Sequence, residues 1–230
     1  MDISSLGKKH PVLVIGFPGF GMAGSIALQH VVDANKPALL GHLSLHDQSS
    51  TFMAIHEGRP VWPVSAYYDE QRAIVYVHAL IPVLNDSVTS DELYEMIDSI
   101  EPERIVVLES IGTMDDGHKT FSYTVDDRAS EGLSLPERLS EGVILGTSAD
   151  LFSRYPDRTI GLFSEANVSI PDSEAAAQLL EVLNGLFDLG LDTEALREMS
   201  KVFEERVKKI LKDSKSAKTM TEKNQMFYVG

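Results

Sequence analysis

The stretch VLVIGFPGFGMAGSIALQHVV, residues 12–32, decides the fold of this chain. It opens with an apolar run, which is typical of a buried strand, and continues from about Met22 as an amphipathic segment that predicts a helix. Between the two lie Gly19, Gly21 and Gly24, at the spacing of a dinucleotide-binding turn. The stretch therefore predicts the strand–turn–helix unit with which an α/β domain begins.

The glycines of this turn have two interpretations. In a dinucleotide-binding fold an acidic residue at the end of the second strand binds the ribose, and Asp47 is suitably placed for that role. Pro18 and Phe20, however, put bulk where a pyrophosphate would approach. We therefore favour the second interpretation, in which the glycines permit positive φ angles and close packing of the helix on the strand. We expect no cofactor, and keep the glycines and Asp47 as candidates for a ligand-binding edge.

The rest of the core alternates between apolar runs and helical segments. Further strands are predicted at residues 39–45, 61–67, 73–80, 105–108, 143–145 and 159–163. The second and third of these runs are joined by a short polar link, which predicts an antiparallel hairpin. Residues 90–100 have helical apolar spacing, and Thr89 with Glu92 forms a capping-box pattern. Residues 112–142 show little periodicity and predict a long loop.

This alternation predicts a three-layer α/β domain over residues 1–170, phosphorylase- or hydrolase-like, with a mixed, mainly parallel sheet. From residue 171 the pattern is wholly helical, and Asp172 and Asp192 stand where N-caps would begin two successive helices. We therefore predict a C-terminal helical hairpin over residues 171–214, packed on or beside the core. Residues 215–230 lack an apolar period and predict a flexible tail.

The tail ends in four apolar or aromatic residues, Met226, Phe227, Tyr228 and Val229. Such a cluster at the tip of a solvated segment predicts docking, either on a partner or back on its own domain. The residues leave both alternatives open. We take these four side chains as candidate partner-binding residues.

Composition and charge exclude several classes of protein. The chain has 230 residues, 43% hydrophobic and 24% charged, and no cysteine, which excludes disulfides and thiol nucleophiles. It lacks a signal-peptide pattern and any apolar run near the roughly 20 residues of a membrane-spanning helix, so we expect a soluble cytoplasmic protein without membrane binding. Residues 1–196 carry a net charge of −19 and residues 197–230 carry +4. An acidic body repels nucleic acid, so a nucleic-acid partner is not expected.

Evidence for catalysis in the sequence is weak. No serine stands in a nucleophile elbow, and the seven histidines form no metal-ligand pattern, so we predict neither a catalytic residue nor a metal site. His78 is the histidine most expected to be buried. Glu109 follows the apolar run IVVL at a carboxyl strand end, where open α/β sheets bind ligands. The alternative function is therefore a small-molecule or nucleotide-binding enzyme, hydrolase- or phosphorylase-like, with its site at this edge.

Several stretches together resemble the proteasome assembly chaperone family in its archaeal branch. They are GFPGFGMAGSIAL after the first strand, the LESIG strand end at 108–112, GVILGTSADLF at 142–152, IPDSEAAAQLLEVLNGLFDLGLDTEAL at 170–196, and the basic last helix. The resemblance spans most of the chain and lies in the order of these stretches rather than in any single motif.

The resemblance implies a nucleoside-phosphorylase-like α/β fold without a catalytic site, self-association into homo-oligomers, and a role in assembling 20S proteasome rings. Relatives of this kind can end in a hydrophobic-Tyr-X tail that enters pockets between proteasome α subunits, where the terminal carboxylate pairs with a lysine. Phe227 and Tyr228 match the first two positions of that tail. Two residues follow the tyrosine here, where the pattern has one.

Overall fold

The computed structural model describes residues 10–44, 54–56, 58–83, 88–113, 119–194 and 197–198. The strands are β1 (Val12–Gly16), β2 (Ala38–His42), β3 (Ala54–His56), β4 (Arg59–Val61), β5 (Val64–Asp69), β6 (Ile74–Ala79), β7 (Arg104–Thr113), β8 (Thr120–Thr124) and β9 (Thr159–Asn167). The helices are α1 (Ala23–Asn35), α2 (Val88–Ile100), α3 (Gly146–Arg154) and α4 (Ser173–Phe187). A 3-10 turn, Phe20–Met22, leads into α1.

Seven of the strands form one mixed sheet in the order β2-β5-β6-β1-β7-β9-β8. The four central strands, β6, β1, β7 and β9, are parallel to one another. The pairs β2–β5, β5–β6 and β8–β9 are antiparallel, and β3 and β4 form a separate two-stranded ribbon. The predicted hairpin between β5 and β6 is confirmed, as is the mixed sheet with a parallel centre.

Helices cover both faces of this sheet, which confirms the three-layer α/β architecture. Successive residues of a strand point to opposite faces, so the buried strands contribute to two separate apolar clusters. One cluster joins Val14 of β1 to α1 and α4, including Leu28 and Leu180. The other joins Leu13 of β1 to α2 and α3, including Leu151. The central strands are buried on both sides, as their continuous apolar sequences predict.

Two buried polar atoms lie on the α1 side of the sheet. Tyr76 and His78 are two residues apart on β6 and therefore point to the same face of the sheet. Both are buried, which confirms the expectation for His78. Within the described residues, Tyr76 Oη and His78 Nε2 are the buried side-chain atoms without a hydrogen-bond partner. Burial lowers the pKa of His78 to about 4, against the opposing effect of a hydrogen bond with the Ser25 backbone.

Three local predictions are corrected by the structure. Residues 143–145 are not a strand: Val143 and Leu145 are exposed, and α3 begins directly after them. Residues 112–142 contain β8, an edge strand of the sheet that pairs with β9. An edge strand needs only one apolar side, so its sequence signal is weaker than that of a central strand.

The capping box is the third correction. Helix α2 begins at Val88, so Thr89 lies inside its first turn. Glu92 instead accepts hydrogen bonds from the Ser44 backbone N–H and Oγ, at 2.7 and 2.6 Å, while Thr89 Oγ1 donates to the Ser44 carbonyl. The two side chains therefore bind the segment after β2.

At the C-terminal side, the N-cap of α4 is confirmed. Asp172 Oδ1 accepts a hydrogen bond from Ala175 N at 3.0 Å, and α4 packs on the core through Leu179, Leu180 and Leu183. Asp192 Oδ1 accepts from Glu194 N at 3.0 Å. The remainder of the predicted second helix and the whole predicted tail, residues 199–230, lie outside the described residues, and the hairpin and tail stay predictions. Across the part of the chain that is described, no helix combines the length and apolarity needed to cross a bilayer.

Candidate functional site at the carboxyl ends of the parallel strands

The turn between β1 and α1 is shaped by backbone conformations that glycine favours. Gly21 has a φ of 59°, and the next residue, Met22, adopts the left-handed region at 54° as it caps α1. A Cβ built on Gly21 would lie 2.6 Å from Cβ of Asp172, whose N–H donates to the Gly21 carbonyl at 2.8 Å. A side chain at this position would therefore be both strained and displaced by the start of α4.

Gly24 serves a different purpose, because it lets α1 approach the sheet. A Cβ on Gly24 would lie 2.4 Å from the Leu108 carbonyl oxygen and 2.7 Å from that of Phe17. Gly16 lies at the end of β1, and a Cβ built on it would lie 2.4 Å from the carbonyl oxygen of Gly24. The first turn of α1 thus rests directly on backbone atoms of β1 and β7.

The hydrogen bonds of the turn favour this structural interpretation over a phosphate cradle. Gly19 N donates to the Phe17 carbonyl at 3.0 Å, and Met22 N donates to the Gly19 carbonyl at 3.1 Å. A phosphate cradle presents such N–H groups to the ligand. Two of the turn's donors are instead used inside the turn itself.

Glu109 lies beside this turn, on β7, at the side of the sheet covered by α3. Ser148 Oγ, in the first turn of α3, donates to Glu109 Oε1 at 2.5 Å. The other oxygen, Oε2, lies next to Gly19, where a built Cβ would approach it to 2.8 Å. Burial raises the pKa of Glu109, and hydrogen bonds from Ser148 and the Ser110 backbone oppose that rise.

Two adjoining clefts open at this edge of the sheet, and Glu109 lines both. The larger has a volume of about 640 Å³ and lies between the glycine turn, the strand β7 and the segments 142–145 and 168–171. The smaller, about 230 Å³, lies between Glu109, the loop after β6 and the start of α3. Within the described lining of the two clefts, Glu109 is the only side chain that carries a charge.

The mouth of the larger cleft carries four exposed apolar side chains, which we call the apolar rim. They are Phe20, Val143, Leu145 and Val168, with exposed fractions of 51%, 83%, 75% and 47%. Large apolar side chains grouped on a surface are typical of sites that bind another molecule. The described lining of the larger cleft therefore combines an apolar surface with one carboxyl group, that of Glu109.

The structure brings together some of the residues proposed from sequence for a ligand-binding edge. Gly19, Gly21 and Glu109 line the larger cleft. Gly24 lies in the first turn of α1, against backbone atoms of the sheet, and not in either cleft lining. Asp47 lies outside the described residues, as do the tail residues Met226, Phe227, Tyr228 and Val229.

Two parts of the site escaped the sequence analysis. The hydrogen bond between Ser148 and Glu109 is one of them, because this serine lies outside any nucleophile elbow and its position at a helix start carries no local signal of the pairing. The apolar rim escaped because residues 143–145 were interpreted as a buried strand. The glycines on either side, Gly142 and Gly146, were the available signal that this short run is a loop.

Comparisons with known proteins give consistent results. The model of the PAC2 family matches residues 13–211. The Methanocaldococcus jannaschii protein MJ0106 is 24% identical over 225 residues, covering 96% of this chain and 94% of that protein. Crystal structures of two Pyrococcus furiosus proteins have similar folds.

The first of these, PbaA, is described as an archaeal homologue of proteasome-assembly chaperone; it has a TM-score of 0.74 and 23% identity, covering 96% of each chain. The second, PbaB, is described as an archaeal proteasome activator; it has a TM-score of 0.69 and 19% identity, covering 87% of this chain and 93% of its own. At these identities the likeness shows a common fold.

Proposed function

This chain belongs to the PAC2 family, and from that premise we propose that it acts as a proteasome-assembly chaperone, binding 20S proteasome α subunits as a homo-oligomer. The observation that carries the proposal is the family match over residues 13–211. The fold it shares with PbaA, an archaeal homologue of such a chaperone, supports it.

The surface of the molecule suits a binding role. The apolar rim exposes four large side chains at one end of the sheet, where they are available to a second protein or a second copy. We propose that self-association uses this rim. Among their described lining residues, the two clefts behind it contain no histidine that could serve Ser148 as the base of a serine hydrolase.

The second contact we propose is the aromatic tail. Met226, Phe227, Tyr228 and Val229 supply a compact apolar anchor, and tyrosine adds a hydroxyl that finds a hydrogen-bond partner when buried. A segment that becomes ordered only on binding gives reversible complexes. Reversibility suits a chaperone that must leave the assembled ring.

Native mass spectrometry tests the proposal directly. The full chain is measured alone and then mixed with the 20S proteasome α subunits of the same organism. We expect a homo-oligomer in the first measurement and a defined complex with α subunits in the second. Absence of any complex at micromolar concentrations of both components would contradict the proposed function.

A deletion of residues 224–230 tests the tail. We expect the shortened chain to keep its melting temperature and oligomeric state but to retain at most about a tenth of the affinity for α subunits, since a few anchors carry most binding energy. The double substitution Phe227→Ala and Tyr228→Ala should reproduce the loss, whereas Lys223→Ala, just outside the anchor, should not. Unchanged binding in a quantitative pull-down would remove the tail from the proposal.

A further inference from the structure

We propose that the two clefts at the carboxyl ends of the parallel strands bind a small organic cation, an ammonium group on an apolar body, with Glu109 as its counterion. Neither inference depends on the other, although the apolar rim that we propose for self-association also forms the mouth of the larger cleft. The argument rests on the position of one carboxyl group, the chemistry of the surfaces around it and the space in front of it.

Glu109 is the ionisable centre of the site. It lines both clefts, and every other described residue that lines them is uncharged. A carboxylate in such surroundings has lost hydration and gained only neutral donors, here Ser148 Oγ at 2.5 Å from Oε1. Burial raises the pKa of Glu109. A cation that reaches the carboxylate supplies the positive charge that the described lining of the clefts does not.

The walls of the larger cleft define the rest of the ligand. Phe20, Leu139, Ile144, Phe163 and Ile170 contribute apolar surface to a volume of about 640 Å³. Binding sites for small molecules have volumes of roughly 300–1,000 Å³, and are mostly apolar with a few polar groups that fix orientation. An aromatic or alicyclic body fits this lining, and the ammonium group then faces Glu109.

Gly19 leaves space beside this carboxyl group because it has no side chain. A Cβ built on Gly19 would lie 2.8 Å from Oε2 of Glu109. Thr147 Oγ1 donates to the Val83 carbonyl at 2.6 Å and anchors the start of α3, which carries Ser148. The net charge of −15 also favours the approach of cations over anions.

Calorimetric titration of the isolated full chain with tryptamine at pH 7.5 tests the inference. The neutral analogue tryptophol has the same indole body with a hydroxyl in place of the ammonium group. We expect saturable binding of tryptamine and binding of tryptophol that is weaker by about tenfold or more, as an ionic hydrogen bond requires. No saturation by tryptamine up to about 10 mM, or equal binding of both compounds, overturns the proposal.

Two variants assign the effect to Glu109. Glu109→Gln keeps the shape of the side chain and should lower tryptamine affinity by about tenfold or more. Glu103→Gln removes the same charge just before β7, from a side chain that is 59% exposed and paired with Arg104, and should retain wild-type affinity. Equal affinity of E109Q and the wild type contradicts the assignment.

A pH series on the wild type requires no variant and stays informative if E109Q fails to fold. Tryptamine remains protonated between about pH 4 and 8, so a change in affinity reports the protein. The pKa of Glu109 is raised above its usual 4.5, and once the pH falls below it the affinity should fall by about tenfold per pH unit. A flat profile down to about pH 4 contradicts the role of Glu109. All three measurements are made without α subunits, so their failure leaves the proposed chaperone function untouched, and the reverse also holds.

Discussion

The two sides of the sheet each bury an ionisable group, but they do so in different ways. On the α1 side, His78 is enclosed on β6, and its Nε2 has no hydrogen-bond partner among the described residues. On the α3 side, Glu109 on β7 is bound by Ser148 and opens onto two clefts. Burial shifts both pKa values toward the neutral form. A perturbed pKa therefore does not by itself mark a functional group; here the adjoining space makes the difference.

The largest effect is expected where α1 packs on the sheet. Gly24→Ala should lower the free energy of unfolding by about 3 kcal/mol or more, because its Cβ would meet backbone oxygens that cannot move independently. Gly185→Ala on α4 is the matched control: nothing lies within 4 Å of its built Cβ, so it should stabilise by about 0.5–1 kcal/mol. Urea denaturation measures both. A tolerated G24A would show that the helix is not held by this contact.

The next effect concerns the buried His78 on the α1 side of the sheet. Above pH 6.5 His78 is neutral in the native and the unfolded chain. Below pH 6.5 the unfolded chain binds a proton at His78, whereas the native chain binds it only near pH 4. Stability should therefore fall by about 3 kcal/mol more, between pH 6.5 and 4, in the wild type than in His78→Gln.

Urea denaturation at several pH values gives the free energy of unfolding of both proteins. The difference between wild type and H78Q cancels the contribution of the carboxyl groups that both contain. His30→Gln, at a partly exposed histidine on α1, should keep the wild-type slope. Parallel pH profiles of the wild type and H78Q would contradict the enclosed, neutral state of His78.

A smaller change of stability with pH, of opposite sign, is expected from Glu109 on the α3 side of the sheet. Glu109 keeps its proton in the native chain at pH values where the unfolded chain has lost it, so its raised pKa reduces stability as pH rises above about 4.5. The stability of Glu109→Gln relative to the wild type should therefore increase from pH 4.5 to 7.5. The hydrogen bonds from Ser148 and Ser110 reduce the size of the change.

Urea denaturation at both pH values gives the comparison, with Glu103→Gln as the control for loss of one carboxyl group from an exposed position. A relative stability of E109Q that declines with rising pH would mean that the carboxylate is fully compensated within the protein.

The smallest effect on stability is expected at the apolar rim. The pair Val143→Ser and Leu145→Ser should change the free energy of unfolding by no more than about 0.5 kcal/mol, because both side chains are exposed. If the rim mediates self-association, the same variant should shift the oligomer toward monomer in native mass spectrometry. Val125→Ser, at a residue that is 51% exposed outside the cleft linings, is the control and should leave the oligomer unchanged. An unchanged oligomer in the rim variant would exclude the rim as the interface.

The fold was accessible from sequence wherever one element produces a strong periodic signal. The central strands β1, β6, β7 and β9 are buried on both faces and appear as continuous apolar runs. The N-cap Asp172 also has a local signature, since a carboxylate before a helix binds the first free N–H groups. Their order along the chain was sufficient for the architecture.

The site was less accessible because its parts come from distant segments. Glu109 was identified from its position on a strand, but the pairing with Ser148 joins residues 39 apart in sequence. Thr89 and Glu92 matched a local capping pattern, yet the tertiary contact with Ser44 took both side chains. The apolar side chain of an exposed residue such as Val143 does not separate it from a buried one, and only the flanking glycines indicated a loop.

Asp172 has a consequence beyond capping α4. Its Oδ1 holds the helix start, its Oδ2 accepts from Asn167 N at 2.8 Å, and its own N–H binds the Gly21 carbonyl. One residue thus ties α4 to the glycine turn at the cleft. A substitution that removes the Asp172 carboxylate would therefore loosen the start of α4 and the wall of the cleft together.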